Sequence, residues 1–381
     1  MGARAAPLDE DARTDCLPHG VALHGDRQAA APRAQTGAFE GCGAHLELSP
    51  MQGIPDYEEH APVFGDPLIA IDLETQSRPQ WRPPGSILVA LDRRGRTPPA
   101  HADYDLLLTT AADPPRIWVG TGGSTIEAEL ARIRERVRQR PVAAATLAQV
   151  LRAGAQLCFS DALAVESFAY SMLLGGAEFR RWRHAHPAPA PKADTNERVR
   201  FTRDADTVYI RLANPARHNA IDARMRDALC ESLHAVVDDP SANSVCLLGE
   251  GRAFSVGGEL EEFGTAPDLA TAHAVRTLRS PALLLHRLRD RATAYVHGAC
   301  IGSGIEMPAA AGRVIAAPDS WFRLPEVSMG LIPGAGGTAT ISARLGRHRT
   351  LYWALTDRKL NADLALAWGL VDEVRDRKSV V

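Results

Sequence analysis

Apolar residues along this chain fall into short runs, alternations and helical spacings, and each pattern predicts an element. The runs 68-LIAIDL-73, 86-SILVALD-92 and 104-YDLLLTT-110 are rich in Ile, Val and Leu and bounded by Pro, Gly or Asp, so they predict buried strands. Ile126, Leu130, Ile133 and Val137 recur at helical spacing with Arg and Glu between them. That is an amphipathic helix, which Pro141 should end. Two more helical stretches follow, over about 142–153 and 160–183. Segment 184–197 then alternates Pro with Ala. Alternating Pro holds a chain extended and offers no apolar face, which predicts a semi-rigid linker.

Beyond the linker the pattern sharpens. Val208, Ile210 and Leu212 alternate as in a strand. Met225, Leu229, Leu233 and Val236 mark a helix beginning near Asp222. Runs at 244–250, 292–298 and 313–318 predict further strands, and 337–346 and 361–368 predict helices. Strand and helix alternate, so the sheet should be largely parallel. Residues 1–60 carry Ala, Gly, Pro and Asp without a steady apolar period and are expected to be disordered. The expected organisation is thus a smaller α/β unit over 61–183, a linker over 184–197 and a second α/β domain over 198–381.

Charge narrows the function. Lys+Arg 43 against Asp+Glu 46 gives a net charge of −3, with no basic excess to hold a nucleic-acid backbone. No apolar run approaches the ~18 residues of a membrane helix. The N-terminus, MGARAAPLDEDARTDC, is acidic and lacks the apolar stretch of a secretory signal. The six cysteines are scattered, with no paired spacing for zinc or a disulfide framework. A cytoplasmic protein without a metal site, a nucleic-acid partner or a membrane partner is expected.

Three segments carry candidate chemistry. In 249-GEGRAFSVGGELEEF-263 a strand runs into small residues and then into what reads as an acidic helical start. Such a loop can point backbone N–H groups at a ligand oxygen. In 296-VHGACIGSGIEM-307 a strand again ends in small residues that open a helix, with Glu306 in its first turn. In 320-SWFRLPEVSMGLIPGAGGTA-339, Glu326 stands within an apolar frame of Trp321, Phe322, Leu324, Val327 and Leu331. That setting should raise its pKa or demand a polar partner. The glycines 334–337 lack the Lys-Ser/Thr of a Walker motif and the spacing of a dinucleotide fingerprint. His218 and His297 read as surface or packing residues, and Cys300 as a small core residue.

In this order and spacing the three segments resemble the enoyl-CoA hydratase/isomerase (crotonase) family. The resemblance begins at 206-DTVYIRLANPARHNAID-222 and ends at 361-NADLALAWGLVDEV-374, covering about residues 198–374. Nothing before the linker takes part. The resemblance implies a crotonase-like repeated β-β-α core, here preceded by a smaller α/β N-terminal domain, that binds acyl-CoA thioesters. It implies an oxyanion hole formed by the amides of Gly258 and Ser303, and CoA binding through Ala253, Ser255 and Gly257, with Arg217 a candidate for the phosphates. Glu306 and Glu326 match the acid/base pair that family hydratases use to add water across a C2=C3 bond. No cofactor is implied beyond the CoA of the substrate, and a homo-oligomer, a trimer or hexamer, is implied.

Three features depart from the family pattern. Ser303 stands where members usually carry Gly. Pro308 removes an N–H from the helix of Glu306. After Val374 the sequence ends sooner than the family's usual C-terminal helices require: either the chain is truncated, or the helical stretch 126–183 is expected to pack on the core in their place. The family's hydrolases place an Asp near the turn where this chain has Gly334, which weakens a hydrolase reading. A double-bond isomerase and a CoA-binding scaffold without turnover stand as alternatives to a hydratase.

Overall fold

The computed structural model describes residues 58–77, 82–98, 103–187 and 196–376. The disorder expected over 1–60 lies almost wholly outside the described residues, as does the middle of the 184–197 linker.

The three apolar runs near the start form β1 (Leu68–Asp72), β2 (Ile87–Asp92) and β3 (Leu106–Thr109), joined at the edge by the short β4 (Val119–Gly120). They pair in parallel, in the order β1-β2-β3-β4. Helix α1 (Ile126–Gln139) starts where the Thr125 side chain accepts from the Ala128 N–H. It stops at Gln139, two positions before Pro141, and that proline opens α2 (Pro141–Gly154), the helix position where a missing N–H costs nothing. The long helix expected over 160–183 is in fact two helices, α3 (Phe159–Leu174) and α4 (Ala177–Ala185), broken at Gly175–Gly176. Consecutive glycines carry the largest backbone entropy cost in a helix, so the break falls there.

The second half begins with the hairpin β5 (Val199–Asp204) and β6 (Thr207–Leu212). Helix α5 (Ala223–Val237) follows its cap Asp222, and then comes β7 (Ser244–Gly249). Helices α6 (Leu269–Leu278) and α7 (Pro281–Arg287) lead into β8 (Ala292–Val296) and β9 (Ala299–Ile301). The four-residue α8 (Ser303–Glu306), β10 (Arg313–Ala316), β11 (Trp321–Arg323) and α9 (Gly337–Leu345) complete the site. Helix α10 (Arg347–Thr356), β12 (Leu360–Asn361), α11 (Ala362–Trp368) and β13 (Glu373–Val374) end the described chain.

These strands build two sheets. One has six strands in the order β13-β10-β8-β7-β6-β5, parallel except for the β5-β6 hairpin. The other has three, in the order β12-β11-β9. Units β8-β9-α8 and β10-β11-α9 each give one strand to each sheet and then a helix. That is the repeated β-β-α arrangement expected of the core.

One hydrophobic core runs through both halves, joining Leu106, Leu147 and Leu173 to Ile210, Ile305, Ile341 and Leu345. Polar links cross the same boundary. Tyr352 Oη donates to Glu129 Oε2 at 2.8 Å, and Arg140 Nε donates to the Ser328 carbonyl at 3.0 Å. Residues Tyr57–Val381 form one compact unit. Expressed without residues 1–195, the second half would expose the apolar faces that α2 and α3 cover, and soluble proteins rarely leave more than a few hundred Å² of such surface bare. The expected result is an aggregating fragment by size-exclusion chromatography. A monodisperse, folded fragment would contradict this packing.

Candidate active site

A cavity of ≈ 730 Å³ lies between α3 of the first half and the loops of the second. Gly258, Ser303, Glu306 and Glu326 all line it. The sequence-predicted catalytic and oxyanion positions therefore meet in one place.

The loop holding Gly258 is built by Asn219. This fully buried side chain donates through Nδ2 to the carbonyls of Glu250, Ala253 and Phe254 at 2.8–3.0 Å, and its Oδ1 accepts from the Asn214 N–H at 2.9 Å. Ser255 donates its hydroxyl to the Asn219 carbonyl at 2.7 Å and accepts from the Gly257 N–H at 3.2 Å. Gly257 has φ +92°, and a Cβ there would lie 2.6 Å from the Ile301 carbonyl oxygen, so only glycine fits. The Gly258 amide is left without an acceptor among the described residues. So is the Ser303 amide at the start of α8. The Ser303 hydroxyl, also buried, has no partner either.

Two expectations for this region change. The acidic stretch after Gly258 is not a helix but a series of turns. Its acids are taken up locally: Glu259 and Glu261 pair with Arg217 at 2.9 and 2.6 Å, and Glu262 accepts from the Ala223 N–H, capping α5. Arg217 is thus neutralised by two carboxylates and lies outside the cavity wall. Ala253, Ser255 and Gly257 also lie behind the cavity lining and shape the loop rather than the surface. His218 is exposed, while His297 is buried and contacts the Gly251 carbonyl through Nε2 at 3.1 Å. Cys300 is fully buried.

The acids are held with care. Pro308 cuts α8 to four residues and starts a 3₁₀ turn over Pro308–Ala310. Glu306 at its end turns Oε2 toward the glycine loop, accepting from the Ala335 N–H at 2.7 Å and the Gly337 N–H at 3.0 Å. Glu326 opens a 3₁₀ turn among the buried Phe322, Leu324, Val327 and Leu331, and its Oε2 has no partner. Both carboxyls reach Gly302, whose φ is +51°. A Cβ there would lie 2.4 Å from Glu326 Oε1 and 3.7 Å from Glu306 Oε1, so residue 302 has no room for a side chain.

A third acid comes from the first half. Glu166 on α3 accepts through Oε1 from the Gly336 N–H at 2.7 Å. Through Oε2 it accepts from the Thr338 N–H at 2.8 Å and the Thr338 hydroxyl at 2.7 Å. The glycine loop rejected as a phosphate cradle is therefore an anion cradle after all, for two carboxylates of the protein itself. Oriented amides at the start of α9 suit negative charge, and Glu166 and Glu306 share them.

Burial dominates the protonation of all three. It pushes Glu326 up to about 8, with Asp357 and Glu166 adding to the rise. It pushes Glu166 up to about 7 against the loop donors that favour its charged form. Glu306 is raised well above the usual carboxylate range by burial and by the charges of Glu326 and Glu166. Glu326 has no partner at Oε2, whereas the Ala335 and Gly337 amides offset part of the rise at Glu306 and the Gly336 and Thr338 donors part of that at Glu166.

A stability prediction follows from the direction of these shifts. Below the ordinary carboxylate value of 4.5 every form is protonated; above it the unfolded chain sheds protons that the folded chain keeps. Stability therefore falls as pH rises from 4.5 through about 7 and 8. Buried His348, lowered to about 3 from 6.5, works in the opposite sense, but its contribution is complete above 6.5. From pH 6.5 to 8 the melting temperature should drop, and drop less in Glu326→Gln. A rise over that window in the wild type would contradict the assignment.

Comparisons with known proteins bear on the second half. A family model described as enoyl-CoA hydratase/isomerase matches residues 202–381. Carnitinyl-CoA dehydratase of Salmonella arizonae is 31% identical over 189 residues, 47% of this chain and 68% of that protein. The chain belongs to the enoyl-CoA hydratase/isomerase family. Another relative, 4-chlorobenzoyl coenzyme A dehalogenase-2 of an Arthrobacter species, is 30% identical over 43% of this chain and 61% of its own length. The chain thus spans about six tenths of that relative. Among solved structures, an enoyl-CoA hydratase from Thermoplasma volcanium aligns at 30% identity, covering 49% of this chain and 74% of that one, with a TM-score of 0.45. These family relatives are named for hydratases and for other acyl-CoA enzymes. Among the described residues, no group of three or more His, Cys, Asp or Glu is arranged to hold a metal ion, and no helix is long and apolar enough to cross a membrane.

Proposed function

We propose that the protein adds water across the C2=C3 bond of a 2-enoyl-CoA thioester. The observation that carries this reading is the meeting of two carboxyls at Gly302 beside two unused backbone N–H groups in one cavity. The chemistry needs both parts. Attack of water at C3 sends electrons through C2 to the thioester oxygen, and the amides of Gly258 and Ser303 stabilise that charge. Glu306, as a carboxylate, takes a proton from the water as its oxygen bonds to C3. Glu326, as the acid, gives a proton to C2 and the thioester carbonyl re-forms. Net, one water is consumed. A proton returned from Glu306 to Glu326 resets the pair.

The different settings of the two acids support this division of roles. Glu326 lacks a partner at Oε2 and keeps its proton near neutral pH; the Ala335 and Gly337 amides favour charge on Glu306. Helix α3 forms part of the cavity wall through Leu163, Glu166 and Tyr170. We assign it the covering role over the acyl site. The test is loss of the enoyl-thioester absorbance when purified full-length protein meets short- and medium-chain 2-enoyl-CoA. Turnover is expected; complete inactivity across chain lengths would favour a CoA-binding scaffold instead.

A further inference from the structure

The structure assigns Arg276, with Tyr170, as the receptor for a carboxylate at the far end of the acyl chain, so we propose that the preferred acyl-CoA carries a second, anionic terminus. This deepens the hydratase reading of the same cavity and rests on it for the identity of the thioester.

Arg276 is a cation without a paired carboxylate among the described residues. Arg276, on α6, lines the cavity. Its Nη1 is fixed by α3: it donates to the Ser167 hydroxyl at 2.7 Å, the Ser171 hydroxyl at 3.1 Å and the Ser167 carbonyl at 3.2 Å. All three partners are neutral. Among the described residues no carboxylate lies within ion-pair distance of Arg276, and its hydrogen bonds all run through Nη1, leaving Nε and Nη2 open to the cavity. Glu166, whose charge favours the Arg276 cation, spends both oxygens on the amides and hydroxyl at the start of α9. A part-buried guanidinium left this way is costly, and the cost falls when an anion completes it.

The geometry around the cation favours a carboxylate. The guanidinium carbon lies over the Tyr170 ring, 4.7 Å from its centroid. The Tyr170 hydroxyl also has no hydrogen-bond partner among the described residues, and the residue lines the same cavity. Its ring packs on Gly334, in the loop that holds Glu306: a Cβ at Gly334 would lie 2.2 Å from the ring. Cation and hydroxyl therefore sit on the acid-bearing side of the cavity. Two free guanidinium nitrogens form the fork that binds a carboxylate bidentately. Other arginines of the cavity wall are engaged: Arg226 pairs with Asp227 at 2.8 Å, and Arg279 with Glu231 at 3.8 Å.

CoA phosphates offer the same negative charge, so the test separates the two sources without needing turnover. Affinities of the full chain are measured by calorimetry for saturated, unreactive thioesters in matched pairs: succinyl-CoA against butyryl-CoA, glutaryl-CoA against valeryl-CoA, adipyl-CoA against hexanoyl-CoA. The expected result is that one ω-carboxyl member binds about 10- to 100-fold tighter than its neutral partner, as a charge-assisted pair implies. Arg276→Gln should erase that preference, weakening the ω-carboxyl member by that factor more than its neutral partner. Equal affinity within every pair in the wild type overturns the proposal, and that outcome needs no variant. Equal loss of both members in Arg276→Gln also overturns it, by giving the cation to the CoA phosphates. Because no reaction is read, a failed preference is distinct from a failed hydratase assay.

Discussion

Glu306→Gln and Glu326→Gln should each lower enoyl-CoA turnover by about 10²–10⁴-fold, the usual contribution of a general acid or base. Affinity for a saturated acyl-CoA should barely move. The structure explains why these substitutions are clean. A Gln carbonyl at 306 can still accept from the Ala335 and Gly337 amides, so the glycine loop keeps its anchor. At 326 the uncompensated Oε2 leaves room for an amide without breaking a bond. Each variant therefore removes a proton carrier and little else. Turnover by absorbance and affinity by calorimetry give the two readings. Wild-type turnover in either variant would take that residue out of the mechanism.

Ser303→Pro should cost about 10²–10³-fold in turnover, the value of one oxyanion donor, while Ser303→Gly keeps most activity. The two substitutions separate the amide from the hydroxyl. Ser303 is the first residue of α8, a position whose backbone suits proline, and its hydroxyl bonds to nothing in the protein. Only the N–H is lost to both fold and substrate in the proline variant. A melting curve for each variant checks that the fold survives. If glycine were as inactive as proline, the hydroxyl would be the working group and the oxyanion assignment would fall.

Much of this was readable in the sequence, for identifiable reasons. Buried parallel strands advertise themselves as apolar runs, which is why β2, β3, β7, β8 and β10 stand where the pattern placed them. Glu306 and Glu326 were visible because each stands in a recognisable glycine- or proline-marked turn. Glu166 was not. It sits mid-helix between Val165 and Ser167, where an acid reads as a solvent-facing residue, and its partners lie 170–172 positions away along the chain. Arg276 was hidden the same way, on a helix whose Ala, Thr and His residues give little apolar contrast. The signal for that helix was Asp268, whose side chain accepts from the Thr271 N–H. The acids after Gly258 misled in the other direction. Glu, Leu, Glu, Glu has helical propensity, but ion pairs to Arg217 and the cap on α5 hold it in turns.

The most direct test of the reaction is the product formed from a 2-enoyl-CoA in deuterated water, read by NMR and mass spectrometry. Water addition through an acid at C2 and a base at the attacking oxygen predicts a 3-hydroxyacyl-CoA with a single deuterium at C2. Recovery of a 3-enoyl-CoA with no hydroxyl at C3 would contradict the account and make the protein a double-bond isomerase.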